Sequence, residues 1–391
     1  MNNFAERFEG VSGSAIREIF KLLANPNIIS FAGGNPSPDS FPKEKLAEIA
    51  KRVLLEKGES ILQYGPTKGY MPLMEEILDI AKSQGIEAGP NNIIITSGSS
   101  QGLELMSKTF VDKGDVILVE SPTFIGAIQT FKTYQANLVA VDTDEEGILL
   151  DDLEKKIKKH NPKFLYVIPT FQNPSGVTLI EERREKLVQI CSKHGVKILE
   201  DDPYGDLRFS GKKVSTLKSF DTDNTVVRLV SFSKIISPGI RVGAAIGGAE
   251  IISKFELCKQ GMDVHTTNLA QVMVYEYLKS GELKGHIAEI TEKYKGKKEL
   301  MLSLIEKEFP KNIKISPCDG GLFIWITLPE GTNTLDLFKK AVEKKVAFVP
   351  GTHFFAQGGN ENTMRLNFSM VSEQKIEEGI KILAEVMKGN I

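Results

Sequence analysis

Lys234 stands in SFSKIISPGIRVG, just past the mostly apolar run VVRLVS at 226–231. A lysine in a Ser-rich loop is ordinarily a solvated cation. One that follows a buried strand near another cation loses proton affinity, and its free amine is then a nucleophile and a base. Arg241, seven residues on, offers a planar fork for a phosphate or carboxylate. Upstream, the run Lys197–Asp201 leads into LEDDPY. Carboxylates at a strand end are costly to bury unless paired. A cationic ring nitrogen would satisfy Asp201, and Tyr204, three residues later, would reach the same ring.

Three earlier junctions add to this set. After Ile93–Thr96 comes SGSSQG, entering a helix. Small residues there leave backbone N–H groups open, and the helix dipole favours an anion such as phosphate. An ordinary serine N-cap reads the same way. Gly98–Gly102 also fits G-x-S-x-G, the nucleophile elbow of serine hydrolases, with Ser100 as nucleophile. In SPTF, Phe124 is either a ring that stacks on a ligand or a core side chain. In TFQNPSG, Asn173 offers a donor and an acceptor at a turn, with Pro174 expected cis. Jointly these residues supply a phosphate cradle, a ring stack, an anion for a pyridinium, a phenolic partner and an amine. Pyridoxal phosphate requires that inventory.

Such residues must be carried by strands. The runs Ile93–Thr96, Val116–Glu120, Leu138–Asp142, Phe164–Pro169, Lys197–Asp201, Val226–Ser231 and Val242–Gly247 alternate with amphipathic stretches such as Gln101–Val111 and Ile180–His194. In VILVE and KILED the apolar residues are contiguous rather than alternating with polar ones, as in strands covered on both faces. This is an α/β fold, a three-layer sandwich around a mostly parallel sheet, in which ligands bind beyond the carboxyl ends of the strands. From Gly281 the texture changes: a long helical segment to Phe309, strand-like LFIWITL, a helix from Leu335, strand-like VAFVP, then MRLNFS and a terminal helix. The division expected is 1–45 as a segment packing with the small domain, 46–285 as the large cofactor-binding domain, and 286–391 as a small α+β domain.

The net charge of −2 offers no footprint for nucleic acid or a membrane surface. Cys191, Cys258 and Cys318 are odd in number and far apart, which argues against disulfides and a zinc site, so no metal is expected. No apolar run is long enough for a bilayer, and MNNFAERFEG lacks a signal peptide's apolar core. A cytoplasmic enzyme is expected.

The motifs GGNP, NPSG, EDDPY and SFSKIISPGIRVG, in this order and spacing, resemble the fold-type I, class I/II aminotransferases from about Arg17 to the last strand. The IREIFKLL helix and DVHTTNLAQ are similar to the aminoadipate, kynurenine and aromatic amino-acid members. The resemblance implies that Lys234 carries the cofactor as an imine and that Asp201 pairs with the pyridine nitrogen. Tyr204 and Asn173 would bond the ring hydroxyl oxygen, and Phe124 would stack on the ring. Ser99, Ser100, Ser231, Ser233 and Arg241 would hold the phosphate, although the family often has Gln where this chain has Ser100. Tyr64, in LQYGPTKGY, would reach the phosphate of a neighbouring subunit, which implies a homodimer with shared sites. Arg365, in MRLNFS, would clamp the substrate α-carboxylate with Gly34 beside it, and Arg17 would lie near the substrate. KQGMDVHTTNLAQ lacks the arginine of the dicarboxylate-specific aspartate enzymes, so a bulky or broad-range L-amino acid is the expected donor and a 2-oxo acid such as 2-oxoglutarate the acceptor.

Three rivals stand beside this reading. A C–S β-lyase would use the same cofactor residues. A serine hydrolase would use Ser100 with Asp201 or Asp202 and His265, His286 or His353. A DNA-binding sensor would need a basic domain ahead of GGNP, and none is seen.

Overall fold

The computed structural model describes residues 4–8, 25 and 27–389. The SAIREIFKLL segment and Arg17 lie outside them.

The first strand, β1 (Ile29–Ser30), is followed by the helices Lys43–Ile61 and Met71–Ser83. The central sheet comes next: β2 (Ile93–Thr96), β3 (Val116–Ser121), β4 (Asn137–Asp144), β5 (Gly147–Ile148), β6 (Phe164–Val167), β7 (Lys197–Asp201), β8 (Val226–Ser231) and β9 (Gly243–Ile246). Its spatial order is β2-β9-β8-β7-β6-β3-β4-β5. β8, β7, β6, β3 and β4 are mutually parallel, whereas β9 is antiparallel to both neighbours and β5 to β4.

The reversal of β9 has a local cause. A parallel neighbour needs a crossover of a dozen or more residues, usually a helix. The connection 232–242 holds only a short 3₁₀ turn at Pro238–Ile240, so the chain returns antiparallel. The start of β9 therefore lies level with the ends of β2 and β8, with Gly243 opposite both Thr96 and Ser231.

The continuous apolar runs follow from cover on both faces. Ile117, Val119, Phe164, Tyr166 and Leu199 face a core shared with Leu103 and Met106 of helix Ser99–Phe110 and with Phe255 of helix Ala249–Gln260. Leu118, Leu165, Val167 and Ile198 face the other way, onto Leu153 and Ile157 of helix Leu150–His160 and Leu187 and Cys191 of helix Glu181–Lys193. Each fully buried Leu or Ile contributes roughly 1.5–3 kcal/mol, so this pattern fixes the register on both sides.

The long helix Leu283–Glu308 leads to a four-stranded antiparallel sheet. Its strands are β10 (Lys314–Ile315), β11 (Phe323–Thr327), β13 (Val349–Pro350) and β14 (Thr363–Asn367). The run VAFVP is not one strand. β12 (Val346–Ala347) pairs in parallel with β1, then Phe348 intervenes and β13 pairs with β14. Helices Thr334–Glu343 and Glu373–Lys388 complete this part.

Candidate active site

Five strands end at one edge of the central sheet, and the residues beyond them converge. A cleft of about 330 Å³ there is lined by Gly34, Ser99, Ser100, Phe124, Asn173, Asp201, Tyr204, Ser231, Ser233, Lys234, Arg241 and Arg365. The reversed β9 brings Arg241 to this edge, and β14 of the second sheet supplies Arg365.

Lys234 Nζ donates to the Gly34 carbonyl at 2.9 Å. Burial, then the charges of Arg365 and Arg241, push its pKa down from the ordinary 10.5 to about 8, against the pull of Asp201. The amine is thus more readily neutral than a surface lysine.

Glu200, Asp201 and Asp202 are consecutive, yet their surroundings differ. Arg228 pairs with Glu200 at 3.2 Å and Asp202 at 3.3 Å. Among the described residues Asp201 forms no such ion pair. Tyr166 Oη donates to its Oδ2 at 2.9 Å, while its buried Oδ1 receives no hydrogen bond from the described residues. Burial pushes Asp201 up to about 6; the Tyr166 and Ser99 hydroxyls and the Lys234 charge pull it down, and Asp202 pushes it up. A buried carboxylate oxygen without a donor is costly. A protonated pyridine nitrogen would supply the donor.

The anion cradle is built around Gly98. Its φ is +80°, and a Cβ there would lie 2.4 Å from Arg241 Nη2. Arg241 donates to the Ser97 carbonyl at 2.7 Å, so the guanidinium sits against the turn that begins helix Ser99–Phe110. Open N–H groups, hydroxyls and a guanidinium at one helix start suit a phosphate.

Arg365 is buried. It donates to Asn173 Oδ1 at 2.7 Å and to the Ala32 carbonyl at 2.8 Å, while its Nε has no partner. Its guanidinium lies 4.2 Å from the Phe323 ring centre and 5.0 Å from that of Phe354. Burial lowers its pKa only to about 10, so it remains a cation at neutral pH. Asn173 Nδ2 approaches Tyr204 Oη at a long 3.5 Å, and the Asn173–Pro174 bond is cis as expected. An amine, an unsatisfied carboxylate, an anion cradle and a buried arginine in one cleft fit pyridoxal phosphate and an amino acid.

Tyr64 is not in this cleft. It is 80% exposed and stands edge-on to His265, 5.9 Å between ring centres. The hydrolase reading fails on its base. His265 bonds the Thr266 carbonyl, His286 packs on Tyr277, and neither they nor His353 line the cleft with Ser100. A larger cavity of about 580 Å³ lies elsewhere, around Arg184, Asp202 and Arg228, and of the residues singled out by sequence for the cofactor it includes only Ser231. Sequence reasoning missed Tyr166, Phe323 and Phe354, aromatics inside or beside apolar runs that read as core. For Tyr166, the signal was a hydroxyl on a strand otherwise free of polar groups.

The family model for aminotransferase class I and II matches residues 26–383. The chain is 43% identical to aromatic-amino-acid aminotransferase 1 of Thermococcus litoralis, covering 98% of this chain and 94% of the relative. It is 41% identical to 2-aminoadipate transaminase of Thermus thermophilus, covering 97% and 95%. The crystal structure of Pyrococcus horikoshii kynurenine aminotransferase, in complex with PMP and kynurenine, superposes with a TM-score of 0.95 at 41% identity, covering 99% of this chain and 97% of that one.

Proposed function

This chain belongs to the class I and II aminotransferases, and we propose that it passes the amino group of a bulky L-amino acid, aromatic or aminoadipate-like, to a 2-oxo acid such as 2-oxoglutarate. The enzyme is pyridoxal-phosphate dependent and has the three-layer α/β fold of its relatives. Relatives named for aromatic amino acids, aminoadipate and kynurenine support the substrate class. So do the apolar walls at Ile125, Val349 and Phe354.

The observation that carries the site assignment is the unsatisfied Oδ1 of Asp201 in the same cleft as the Lys234 amine. Asp201 would hold the cofactor's ring nitrogen and keep it protonated. Tyr204 and Asn173 would hydrogen-bond the ring hydroxyl oxygen, and Phe124 would hold the ring. Ser99, Ser100, Ser231, Ser233 and Arg241 would hold the phosphate. When bound, pyridoxal phosphate supplies an aldehyde for the amine to condense with and a ring that takes up the electron pair left at the α-carbon.

Arg365 holds the substrate α-carboxylate, with Asn173 and Gly34 beside it, and so fixes how the α-C–H bond points. Nζ of Lys234 takes the α-proton as general base and later returns a proton as general acid. Its lowered pKa suits both duties.

Tyr64 is exposed on its own subunit, which supports the reading that it serves the phosphate of a second copy in a homodimer. The three cysteines are unpaired, in keeping with the cytoplasm; among the described residues no helix is long and apolar enough to cross a membrane. The 1–45, 46–285 and 286–391 division is retained, with β1 tying the first part to the last. A screen of the twenty amino acids and aminoadipate against 2-oxoglutarate tests the function. Glutamate formed fastest from bulky donors supports it; pyruvate and ammonia released without an acceptor would mean a lyase instead.

A further inference from the structure

Tyr166 lies within β6, fully buried. It stands opposite Leu199 in β7, so Asp201 follows two residues on along the same face. Phe164, two residues earlier on that face, offers a control. Both rings meet Phe131 edge-on, each at 5.5 Å and 76°. The packing therefore calls for a phenyl ring at either position. What distinguishes position 166 is the hydroxyl, which goes to Asp201 Oδ2 at 2.9 Å.

We propose that Tyr166 is a positioning residue for the amino-transfer reaction: its hydroxyl fixes Asp201 by Oδ2 and leaves Oδ1 as the acceptor for the cofactor's ring nitrogen. This rests on the reading of Asp201 given above. Burial and the facing Asp201 carboxylate keep the phenol protonated far above its ordinary range, so it acts here as a donor. A donor to the ionised carboxylate favours the charged form. That opposes the burial that would neutralise Asp201 and lose its hold on a protonated ring.

Tyr166→Phe removes the hydroxyl and keeps the ring. The test compares the dissociation constants of pyridoxal phosphate and of its 1-deaza analogue, which carries C–H in place of the ring nitrogen, in wild type, Tyr166→Phe and Asp201→Asn. Tyr166→Phe is expected to weaken pyridoxal phosphate roughly tenfold, the scale of one hydrogen bond to a charged group, and to leave the analogue unchanged. The acid limb of the kcat profile should also move to higher pH, because the carboxylate without its donor protonates sooner. If Tyr166→Phe weakens both cofactors alike, or neither, Tyr166 only packs and the proposal falls. If Asp201→Asn also fails to discriminate the two cofactors, the reading of Asp201 itself is wrong and the proposal falls with it.

Discussion

Arg365 and Asn173 are joined by a 2.7 Å hydrogen bond from Nη1 to Oδ1 that links the central sheet to the four-stranded antiparallel one. Asn173 follows β6 of the central sheet, and Arg365 lies in β14 of the other. The bond commits the amide oxygen to the arginine and turns the amide nitrogen towards Tyr204. One side chain thereby aligns the residue assigned to the substrate carboxylate with one assigned to the ring hydroxyl.

Removing that guanidinium should hurt binding before it hurts folding. Arg365→Ala strips the carboxylate of its fork and leaves Asn173 Oδ1 unpaired. Truncating one member of a buried charged pair costs about 2–5 kcal/mol, so kcat/KM should fall by roughly two to three orders of magnitude. Arg365→Lys keeps the charge but not the planar fork, and should recover only part of the loss. Steady-state kinetics with one aromatic donor and 2-oxoglutarate decide it; a kcat/KM near wild type for Arg365→Ala would remove this residue from the carboxylate site.

Lys234 should betray its lowered pKa when the apoenzyme takes up cofactor. The neutral amine is the reacting form. With a pKa of about 8 it makes up roughly a tenth of the population at pH 7, against about one part in a few thousand for an ordinary lysine. The recombination rate, followed by the visible band, should climb as pH rises through 8 and flatten above it. The same depression of pKa makes the folded state gain stability as pH rises from about 8 towards 10.5, because the unfolded chain holds that proton longer. Lys234→Ala should show no such band and no turnover. A recombination rate that kept rising to pH 10 would mean that the amine is not depressed.

The strand ends were readable because a chemical rule applied to them. Polar residues just after apolar runs, at Lys234, Asp201, Asn173 and Ser99, stand where open α/β sheets bind their ligands, beyond the carboxyl ends of the strands. Arg365 had no such mark. It lies 192 residues from Asn173 along the chain and became legible through the family resemblance in MRLNFS. Tyr166 was hidden because a tyrosine in mid-strand looks like core, and only the register of β6 against β7 brings it to Asp201. The split of VAFVP at Phe348 was equally invisible, since periodicity does not say which sheet a strand joins.

Gly98 should resist substitution. Its φ of +80° disfavours any side chain, and an added Cβ would press on the Arg241 guanidinium. The backbone term alone is about 1–3 kcal/mol, and displacing Arg241 adds to it. Gly98→Ala should weaken pyridoxal phosphate at least tenfold while the turnover of the saturated enzyme changes little. A cofactor titration of the apoenzyme reads this directly; unaltered affinity would show that the turn is not part of the phosphate cradle.

Tyr64 tests whether the site is shared between subunits. It is 80% exposed, outside the cleft of its own chain, so its hydroxyl is assigned to a phosphate on the opposite subunit. Tyr64→Phe should raise the cofactor dissociation constant roughly tenfold, and Lys234→Ala should be inactive. Mixing the two variants and allowing subunits to exchange makes hybrids. In a shared-site dimer, one of a hybrid's two sites combines Lys234 from the first chain with Tyr64 from the second, and is intact. At a limiting cofactor concentration the mixture should then exceed the summed activities of its parents. If each tyrosine served its own chain, every site retaining Lys234 would still lack Tyr64, and exchange would add nothing.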